Sequence, residues 1–314
     1  MTKKWQTTIN LKPSLKKIDY SSNILLLGSC FSTEIGQKLE NLKFRANHNP
    51  SGISFNPISI FQLFNQPDTS NKRIVEKDGL YFHYDFHSSI SDEKSESLKT
   101  HILYAYRNLH EKLTESNWII LTFGTAIIHE TKDGKAVSNC HKQPKENFKK
   151  RYLSVQEIIE SFSKFYEKTT PNTEILLNVS PVRHTREGIS ENQLSKSILR
   201  VACAQIEAEY ANVNYLPTYE VMIDELRDYR FYKEDMIHPS KEAAEYIFSL
   251  FLENYFSQTT IKEVKDVSTL LSAINHRPIN ENSKGHKIFL KELITKLEHS
   301  KHNFSKEIAS IKRD

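Results

Sequence analysis

Four short apolar segments occur along the chain, and each is followed by a longer stretch whose apolar side chains recur at helical spacing. The apolar segments are 24–27, 118–122, 174–179 and 213–216, and the stretches predicted as helices are 31–42, 100–115, 153–168, 190–211 and 241–255. Short strands alternating with helices of this length are typical of a parallel sheet covered on both faces. The pattern therefore predicts an α/β fold with three layers, α/β/α, and a mainly parallel sheet.

Polar or flexible residues follow directly after three of these predicted strands. Gly28, Gly124 and Ser180 occupy these positions, although the 314 residues include only eight glycines. Right-handed crossovers place the carboxyl ends of parallel strands along one edge of the sheet. Ligands bind at this edge in open α/β folds. We therefore expect the chemistry of the protein at the edge where these three residues lie.

The composition excludes several classes of protein. The net charge is +4, from 43 basic and 39 acidic residues, which is too small to indicate a nucleic-acid partner. The longest aliphatic run has four residues, 24–27, far fewer than the ~20 that span a bilayer, so no membrane partner is expected. Three cysteines imply no disulfide framework, and residues 1–6 begin no apolar leader. We therefore expect a cytoplasmic protein without a secretory signal.

The turn after the first strand carries a hydroxyl and a thiol. Ser29 and Cys30 follow Gly28 and precede the first predicted helix. The N-terminus of a helix binds anions and favours a thiolate over a thiol. Either side chain is therefore a candidate nucleophile. The same pattern also fits a Ser29 that only caps the helix and a Cys30 that only fills space.

A second candidate group lies just before the last helix of the α/β region. Asp235 precedes His238 by three residues. A carboxylate at this spacing can orient the imidazole while the other ring nitrogen faces a nucleophile. The alternative is a surface aspartate and a histidine at the start of the next helix.

Three further residues are candidates to stabilise an oxyanion. Gly52 lies in a loop rich in Asn, Pro and Ser, and its backbone N–H is one candidate donor. The side chains of Thr125, directly after the strand-end Gly124, and of Asn139 are the others. An ordinary turn at Gly52 is the alternative.

Three residues are candidates to contact a substrate. Arg183 follows the third strand and could bind a carboxylate or phosphate, or form a loop ion pair instead. His184 and His141 are the other two. Cys140 and His141 are adjacent, but the cysteines lack the close spacing of a metal site, so we predict no metal and no cofactor. A thiol- or metal-dependent hydrolase centred on this pair is a rival hypothesis.

Several of these motifs together resemble the GSCFA family, which is named for a sequence like that at residues 28–32. Here the fifth letter is Ser32 rather than Ala. The resemblance extends through 56–57, 123–126, 139–142, 180–184 and 235–239, so it covers most of residues 20–255. The GSCFA family is grouped with the SGNH (GDSL-like) hydrolases. The resemblance implies the SGNH hydrolase fold, with a flavodoxin-like strand order, and acyl-ester hydrolysis or acyl transfer.

The resemblance also implies roles for individual residues. SGNH enzymes begin with Gly-Asp-Ser, so Cys30 takes the place of the nucleophilic serine, and Ser29 is the alternative with a shifted turn. Asp235 and His238 match the Asp-x-x-His block. Ala126 stands where the family has an oxyanion-binding asparagine, which leaves Thr125 or Asn139 to substitute.

The sequence thus predicts an SGNH-like domain over residues 1–257 and a helical C-terminal extension over 258–314. Its predicted activity is that of a hydrolase or acyltransferase on small-molecule or glycan esters, with O-acetyl or short-chain acyl groups. The rival from another class is a non-catalytic module that binds carbohydrate or a partner on a degenerate SGNH fold, which the Ala126 departure favours. The sequence leaves the oligomeric state open.

Overall fold

A computed structural model describes residues 7–313. Residues 1–6, where the sequence predicts no secretory signal, and residue 314 lie outside the described residues. The strands are β1 (Asn23–Gly28), β2 (Arg45–His48), β3 (Ile74–Lys77), β4 (Leu80–His83), β5 (Ser91–Asp92), β6 (Trp118–Phe123), β7 (Ile127–Thr131), β8 (Ala136–Val137), β9 (Phe148–Tyr152), β10 (Glu174–Val179) and β11 (Val213–Tyr215).

Five of these strands form a central, all-parallel sheet in the order β11-β10-β6-β1-β2. Numbered by their succession along the chain, the five strands follow the order 2-1-3-4-5 from the opposite edge, which is the flavodoxin-like order. All six residues of β6 and of β10 are buried, because helices cover both faces of the sheet. The predicted fold class and strand order are therefore confirmed.

The helices are α1 (Cys30–Asn41), α2 (Pro57–Gln62), α3 (Ser95–Glu115), α4 (Val155–Tyr166), α5 (Ile189–Glu209), α6 (Thr218–Glu220), α7 (Lys241–Tyr255), α8 (Gln258–Ile274), α9 (Lys284–Glu298) and α10 (Ser305–Ile311). Alternate residues of β1 point into two cores, with Leu25 and Leu27 on the side of α2 to α5 and Ile24 and Leu26 on the side of α1 and α7. These two cores make the three layers. No helix among residues 7–313 is both long and apolar enough to cross a membrane.

Two small antiparallel sheets are inserted between the elements of the central sheet. One has the order β3-β4-β5 and the other the order β8-β7-β9. The sequence predicts the hairpin between β7 and β8, and Gly134 indeed turns there with a φ of +79°. The sheet β3-β4-β5, the edge strand β2 of the central sheet and strand β9 were not predicted.

The three C-terminal helices pack on the α/β body. Val267, Leu293, Leu297 and Phe304 form their buried cluster, which also contacts Tyr20 and Leu42. Tyr20 lies just before β1, so this contact is at the amino-terminal edge of the sheet. Helix α8 ends at Ile274 and α9 begins at Lys284, so the segment between them connects the two helices. The boundary at residue 258 stays a prediction.

Candidate active site

The turn after β1 can be formed only with glycine at position 28. Gly28 has a φ of +132°, and a Cβ there would lie 2.1 Å from the carbonyl oxygen of Thr122 on β6. Its N–H donates to Oδ1 of Asn49 at 2.8 Å, and Nδ2 of Asn49 donates to Thr33 Oγ1 on α1 at 2.9 Å. The turn is therefore held between the neighbouring strand and the loop after β2, and it directs the next two residues into the first turn of α1.

Ser29 and Cys30 have different surroundings. Ser29 is fully buried, and its hydroxyl donates to Ser180 Oγ at 3.0 Å. Cys30 is the first residue of α1 and is half-buried. Burial, followed by the charge of Glu34, raises the pKa of the Cys30 thiol, against a weaker opposing effect of backbone N–H groups at the helix start. Cys30 is therefore a thiol at neutral pH and would need a base to become a nucleophile.

Asp235 and His238 form a hydrogen-bonded pair. Nδ1–H of His238 donates to Oδ2 of Asp235 at 2.7 Å, while Oδ1 accepts the backbone N–H groups of Ile237 and His238 at 2.9 and 3.0 Å. The His238 backbone N–H and then its ring hold the pKa of Asp235 well below the usual range of an aspartate. The ionised carboxylate therefore fixes the ring with Nε2 available as an acceptor. About 41% of the His238 side chain is exposed, so the imidazole is open to a ligand.

Arg183 connects this pair to the edge of the sheet. Its backbone N–H donates to the carbonyl of Ile237 at 3.1 Å. Its guanidinium lies 3.9 Å from the ring centroid of Tyr232 and donates to the carbonyl oxygen of Met236 at 3.4 Å. Arg183 thus joins the loop after β10 to the loop of His238. Its predicted role in substrate binding stays a prediction.

Lys196 is a functional candidate that the sequence analysis missed. It is fully buried on α5, and its Nζ donates to the carbonyl oxygens of Gly124 at 2.7 Å and Ser180 at 2.8 Å. Burial lowers the pKa of its ammonium group to about 7. Its position in the sequence could have indicated this burial. Lys196 falls on the same helical stripe as Leu199 and Cys203, which are buried.

Two other polar residues in the first turns of α5 accept hydrogen bonds from the loops that follow the same strands. Asn192 Oδ1 accepts the backbone N–H of His184 at 2.8 Å. Ser195 Oγ accepts the backbone N–H of Ala126 at 2.7 Å. With Lys196, these side chains replace the hydrogen bonds that the loops after β6 and β10 cannot make to a strand.

His184 lies above Gly124 with an unusual environment. Its Nε2 is buried and has no hydrogen-bond partner among the described residues. A Cβ on Gly124 would lie 2.9 Å from this nitrogen. Burial, followed by the charges of Lys196 and His238, lowers the pKa of His184 to about 4. His184 is therefore neutral at physiological pH.

The three predicted oxyanion donors make hydrogen bonds within the described residues, and their role at an oxyanion stays a prediction. The N–H of Gly52 donates to the carbonyl of Asn49 at 2.8 Å, as in an ordinary turn. Thr125 Oγ1 lies 3.0 Å from Ser195 Oγ and accepts the N–H of Ile127 at 3.0 Å. Nδ2 of Asn139 donates to Ser88 Oγ at 3.0 Å. The Gly52 bond thus closes its own loop, whereas the bonds of Thr125 and Asn139 join separate parts of the chain.

His141 is likewise engaged away from the predicted substrate contact. It is buried, with Nε2 2.9 Å from the carbonyl oxygen of His83 and Nδ1 3.2 Å from Ser88 Oγ. Its ring stacks on Phe82 at 4.8 Å between centroids. Because both ring nitrogens are occupied, His141 holds the β3-β4-β5 sheet to the loop after β8 and has no nitrogen left for a ligand.

The fold and the strand-edge residues define a mixed α/β protein with a hydrogen-bonded Asp–His pair and a half-buried thiol at the carboxyl edge of a parallel sheet. The chain belongs to the GSCFA family, whose profile matches residues 23–251. A second profile, described as the C-terminal domain of GSCFA domain proteins, matches residues 267–314. The family prediction is therefore confirmed.

Solved structures similar to the chain are distant in sequence. One is a protein from Streptococcus pneumonia assigned provisionally as a platelet activating factor, with 15% identity, a TM-score of 0.38 and coverage of 74% of this chain and 83% of that one. Another is a carbohydrate esterase of family 3 from Talaromyces cellulolyticus, with 9% identity, a TM-score of 0.37 and coverage of 78% and 99%. No curated protein matches the chain.

Proposed function

We propose that the protein is an SGNH-type esterase or acyltransferase that acts on O-acetyl or other short-chain acyl esters of small molecules or glycans. The observation that carries the proposal is the backbone hydrogen bond from Arg183 to Ile237, at 3.1 Å. It fastens the loop of the Asp235–His238 pair to the sheet edge at which Cys30 begins α1. A base and a nucleophile are thereby assigned to the same edge.

Cys30 is the better candidate for the nucleophile. Its thiol is partly exposed, whereas the hydroxyl of Ser29 is buried and donates to Ser180. A thiol also loses its proton more readily than a hydroxyl. Ser29, in turn, fits a role in holding the strand ends β1 and β10 together beneath the site.

The proposed reaction proceeds through a thioester. His238 Nε2 accepts the thiol proton of Cys30 as the sulfur attacks the acyl carbon, and the carbonyl electron pair moves to oxygen. When the tetrahedral intermediate collapses, the bond from carbon to the leaving alkoxide breaks and His238 returns the proton to that alcohol. Water or a second alcohol then attacks the thioester carbon while His238 takes its proton. The carbon–sulfur bond breaks, and the Cys30 sulfur leaves and recovers that proton, which completes hydrolysis or transfer.

The N-terminus of α1 supports this chemistry electrostatically. Helix N-termini carry a partial positive charge and unpaired N–H groups, which stabilise an oxyanion beside the sulfur. The backbone N–H of Cys30 is the proposed donor at this position. The carboxylate of Asp235 keeps the His238 ring in the required tautomer and stabilises the imidazolium that forms.

The test is kinetic. Purified protein is assayed against p-nitrophenyl esters of increasing acyl length and against O-acetylated saccharides, with Cys30→Ala, Ser29→Ala, His238→Ala and the control Cys140→Ala. Cys30→Ala and His238→Ala are expected to lose about 10³-fold or more in kcat/KM, as loss of a nucleophile or its base does. Cys140→Ala should remain active. Full activity in His238→Ala would remove the proposed base.

A non-catalytic binding module is the second candidate. It is favoured by the buried Ala126, which offers no side-chain donor, and by the engaged side chains of Thr125 and Asn139. This candidate predicts that the wild-type protein cleaves no ester in the panel but binds an O-acetylated saccharide at the same edge. Calorimetric titration of the wild-type protein and Cys30→Ala with the saccharides separates the two candidates.

A further inference from the structure

His184 carries a buried nitrogen that nothing in its surroundings satisfies. Its Nε2 is inaccessible to solvent and makes no hydrogen bond within the described residues. A buried polar group left in this way costs about 1–3 kcal/mol, so its retention calls for an explanation. The rest of the residue is firmly placed, because its backbone N–H donates to Asn192 Oδ1 at 2.8 Å.

The unpaired nitrogen lies over a glycine at the end of a central strand. The Cβ that Gly124 lacks would be 2.9 Å from His184 Nε2 and 3.4 Å from Cδ1 of Phe55. The Phe55 ring meets the imidazole edge to face, with centroids 5.3 Å apart, and 38% of Phe55 is exposed. Phe55 is thus the exposed member of this contact, and the ligand proposed below would reach Nε2 by displacing its ring.

We propose, on the basis of the proposed ester chemistry, that Nε2–H of His184 donates a hydrogen bond to the carbonyl oxygen of the acyl group and to the oxyanion that forms from it. The position supports this role, because Gly124 and Ser180 flank the residue at the ends of β6 and β10, and the hydroxyl of Ser29 beside Cys30 bonds to Ser180 at 3.0 Å. His184 would thereby supply the side-chain donor that Thr125 and Asn139 do not.

The charges around His184 suit a neutral donor. After burial, the charges of Lys196 and His238 oppose a second proton on the ring and so lower its pKa. With its pKa lowered to about 4, the imidazole stays neutral through the pH range of ester cleavage. A neutral imidazole can donate to an oxyanion without giving up its proton, and His238 remains the group that exchanges protons.

The experiment compares His184→Leu, which has no donor, with His184→Gln, whose amide can donate. With the best ester of the panel, His184→Leu is expected to lower kcat about 10²–10³-fold with little change in KM, and His184→Gln to recover part of the loss. Alkylation of Cys30 by iodoacetamide develops no oxyanion, so its rate should be unchanged in both variants. A merely structural role would slow the alkylation as well.

Two outcomes overturn the inference, and each is separable from failure of the proposed function. If the wild-type protein cleaves esters and His184→Leu has the same kcat, His184 is not the donor. If kcat and the alkylation rate fall together, His184 only maintains the structure. If the wild-type protein cleaves no ester, the proposed function fails and the inference falls with it. Should His184→Leu not fold, Gly124→Ala replaces it, because its Cβ displaces Nε2, and an unchanged kcat there also overturns the inference.

Discussion

Lys196 shows how one side chain can serve both the stability and the electrostatics of the strand edge. A buried ammonium loses several kcal/mol of hydration unless its surroundings replace it. Here the carbonyl oxygens of Gly124 and Ser180 do so in part, and they are thereby tied together across the ends of β6 and β10. The part of the hydration cost that these oxygens do not offset lowers the pKa of the Lys196 ammonium group to about 7. The charged form stabilises a thiolate on Cys30, since each of the two charges favours the other.

Lys196→Met is expected to remove a pH dependence of stability. Between pH 7 and pH 10 the unfolded chain keeps the Lys196 proton and the folded chain has lost it, so stability rises with pH in the wild-type protein. From pH 7 to pH 9 this contribution amounts to roughly 2 kcal/mol. The free energy of unfolding, measured in urea at both pH values, should lack this increment in Lys196→Met.

Lys265→Met is the matched control for Lys196→Met, because Lys265 is exposed on α8. It should retain the full increase in stability between pH 7 and pH 9. An equal increase in Lys196→Met would show that the buried amine is not deprotonated on folding. Lys196→Met should also lose the proposed esterase activity, because the ends of β6 and β10 lose their common donor.

Among single elements, the sequence predicted those whose signals lie in neighbouring or regularly spaced residues. Helix α7 has the predicted bounds Lys241–Tyr255, and α4 begins with the predicted capping box of Ser154 and Glu157. The Asp235–His238 pair was also predictable, since both residues share one loop. The sheet β3-β4-β5 was not, because its strands have at most four residues, mostly half-buried or exposed, and depend on pairing for their order.

The site was less predictable than the elements because its hydrogen bonds join distant parts of the chain. The N–H of Gly52 is unavailable because it closes a turn on Asn49, and the hydroxyl of Thr125 meets Ser195 on α5. The spacing of residues within a motif does not show which other residues will form hydrogen bonds with them. The burial of Lys196 was missed for a similar reason. Most lysines are exposed to solvent, so the sequence alone favours an exposed side chain.

Gly28→Ala tests the junction of β1 and α1. The new Cβ would meet the Thr122 carbonyl oxygen at 2.1 Å, so β1 and β6 must separate or the turn must move. We expect a loss of about 1–3 kcal/mol from this overpacking, in addition to the strain of a positive φ. Chemical denaturation measures the loss, and the proposed esterase activity should fall because Cys30 is displaced.

Gly134→Ala provides the comparison for Gly28→Ala. Gly134 also has a positive φ, +79°, but a Cβ there meets nothing within 4 Å. This variant should show only the cost of the backbone conformation, about 1–2 kcal/mol, and keep its activity. If the two variants were equally stable and equally active, the close contact with Thr122 would not constrain the turn.

At the scale of the whole molecule, the candidate site and the C-terminal helices lie at opposite edges of the central sheet. Cys30, Gly124 and Ser180 follow the carboxyl ends of their strands, whereas the C-terminal helices contact Tyr20 and Leu42, before β1 and β2. Tyr20 stacks on Phe44, just before β2, with centroids 4.2 Å apart. Within the described residues α1 connects the two regions, because it begins at Cys30 and is followed by Leu42, which contacts the C-terminal cluster. The full length of α1, Cys30–Asn41, separates them, so a change in the C-terminal helices should mainly affect their own stability.

Phe304→Ala tests this separation. Phe304 is 1% exposed, and Nζ of Lys43 lies 4.6 Å from its ring centroid. Removing the ring leaves a cavity in the cluster of α8 to α10 and should cost about 3–5 kcal/mol. Amide hydrogen exchange should accelerate in α9 and α10, while kcat stays within twofold of the wild-type value. Ile279→Ala, at a fully exposed position between α8 and α9, should change neither quantity. A large loss of kcat in Phe304→Ala would mean that the C-terminal helices shape the proposed active edge, with α1 as the element that reaches from their cluster to Cys30.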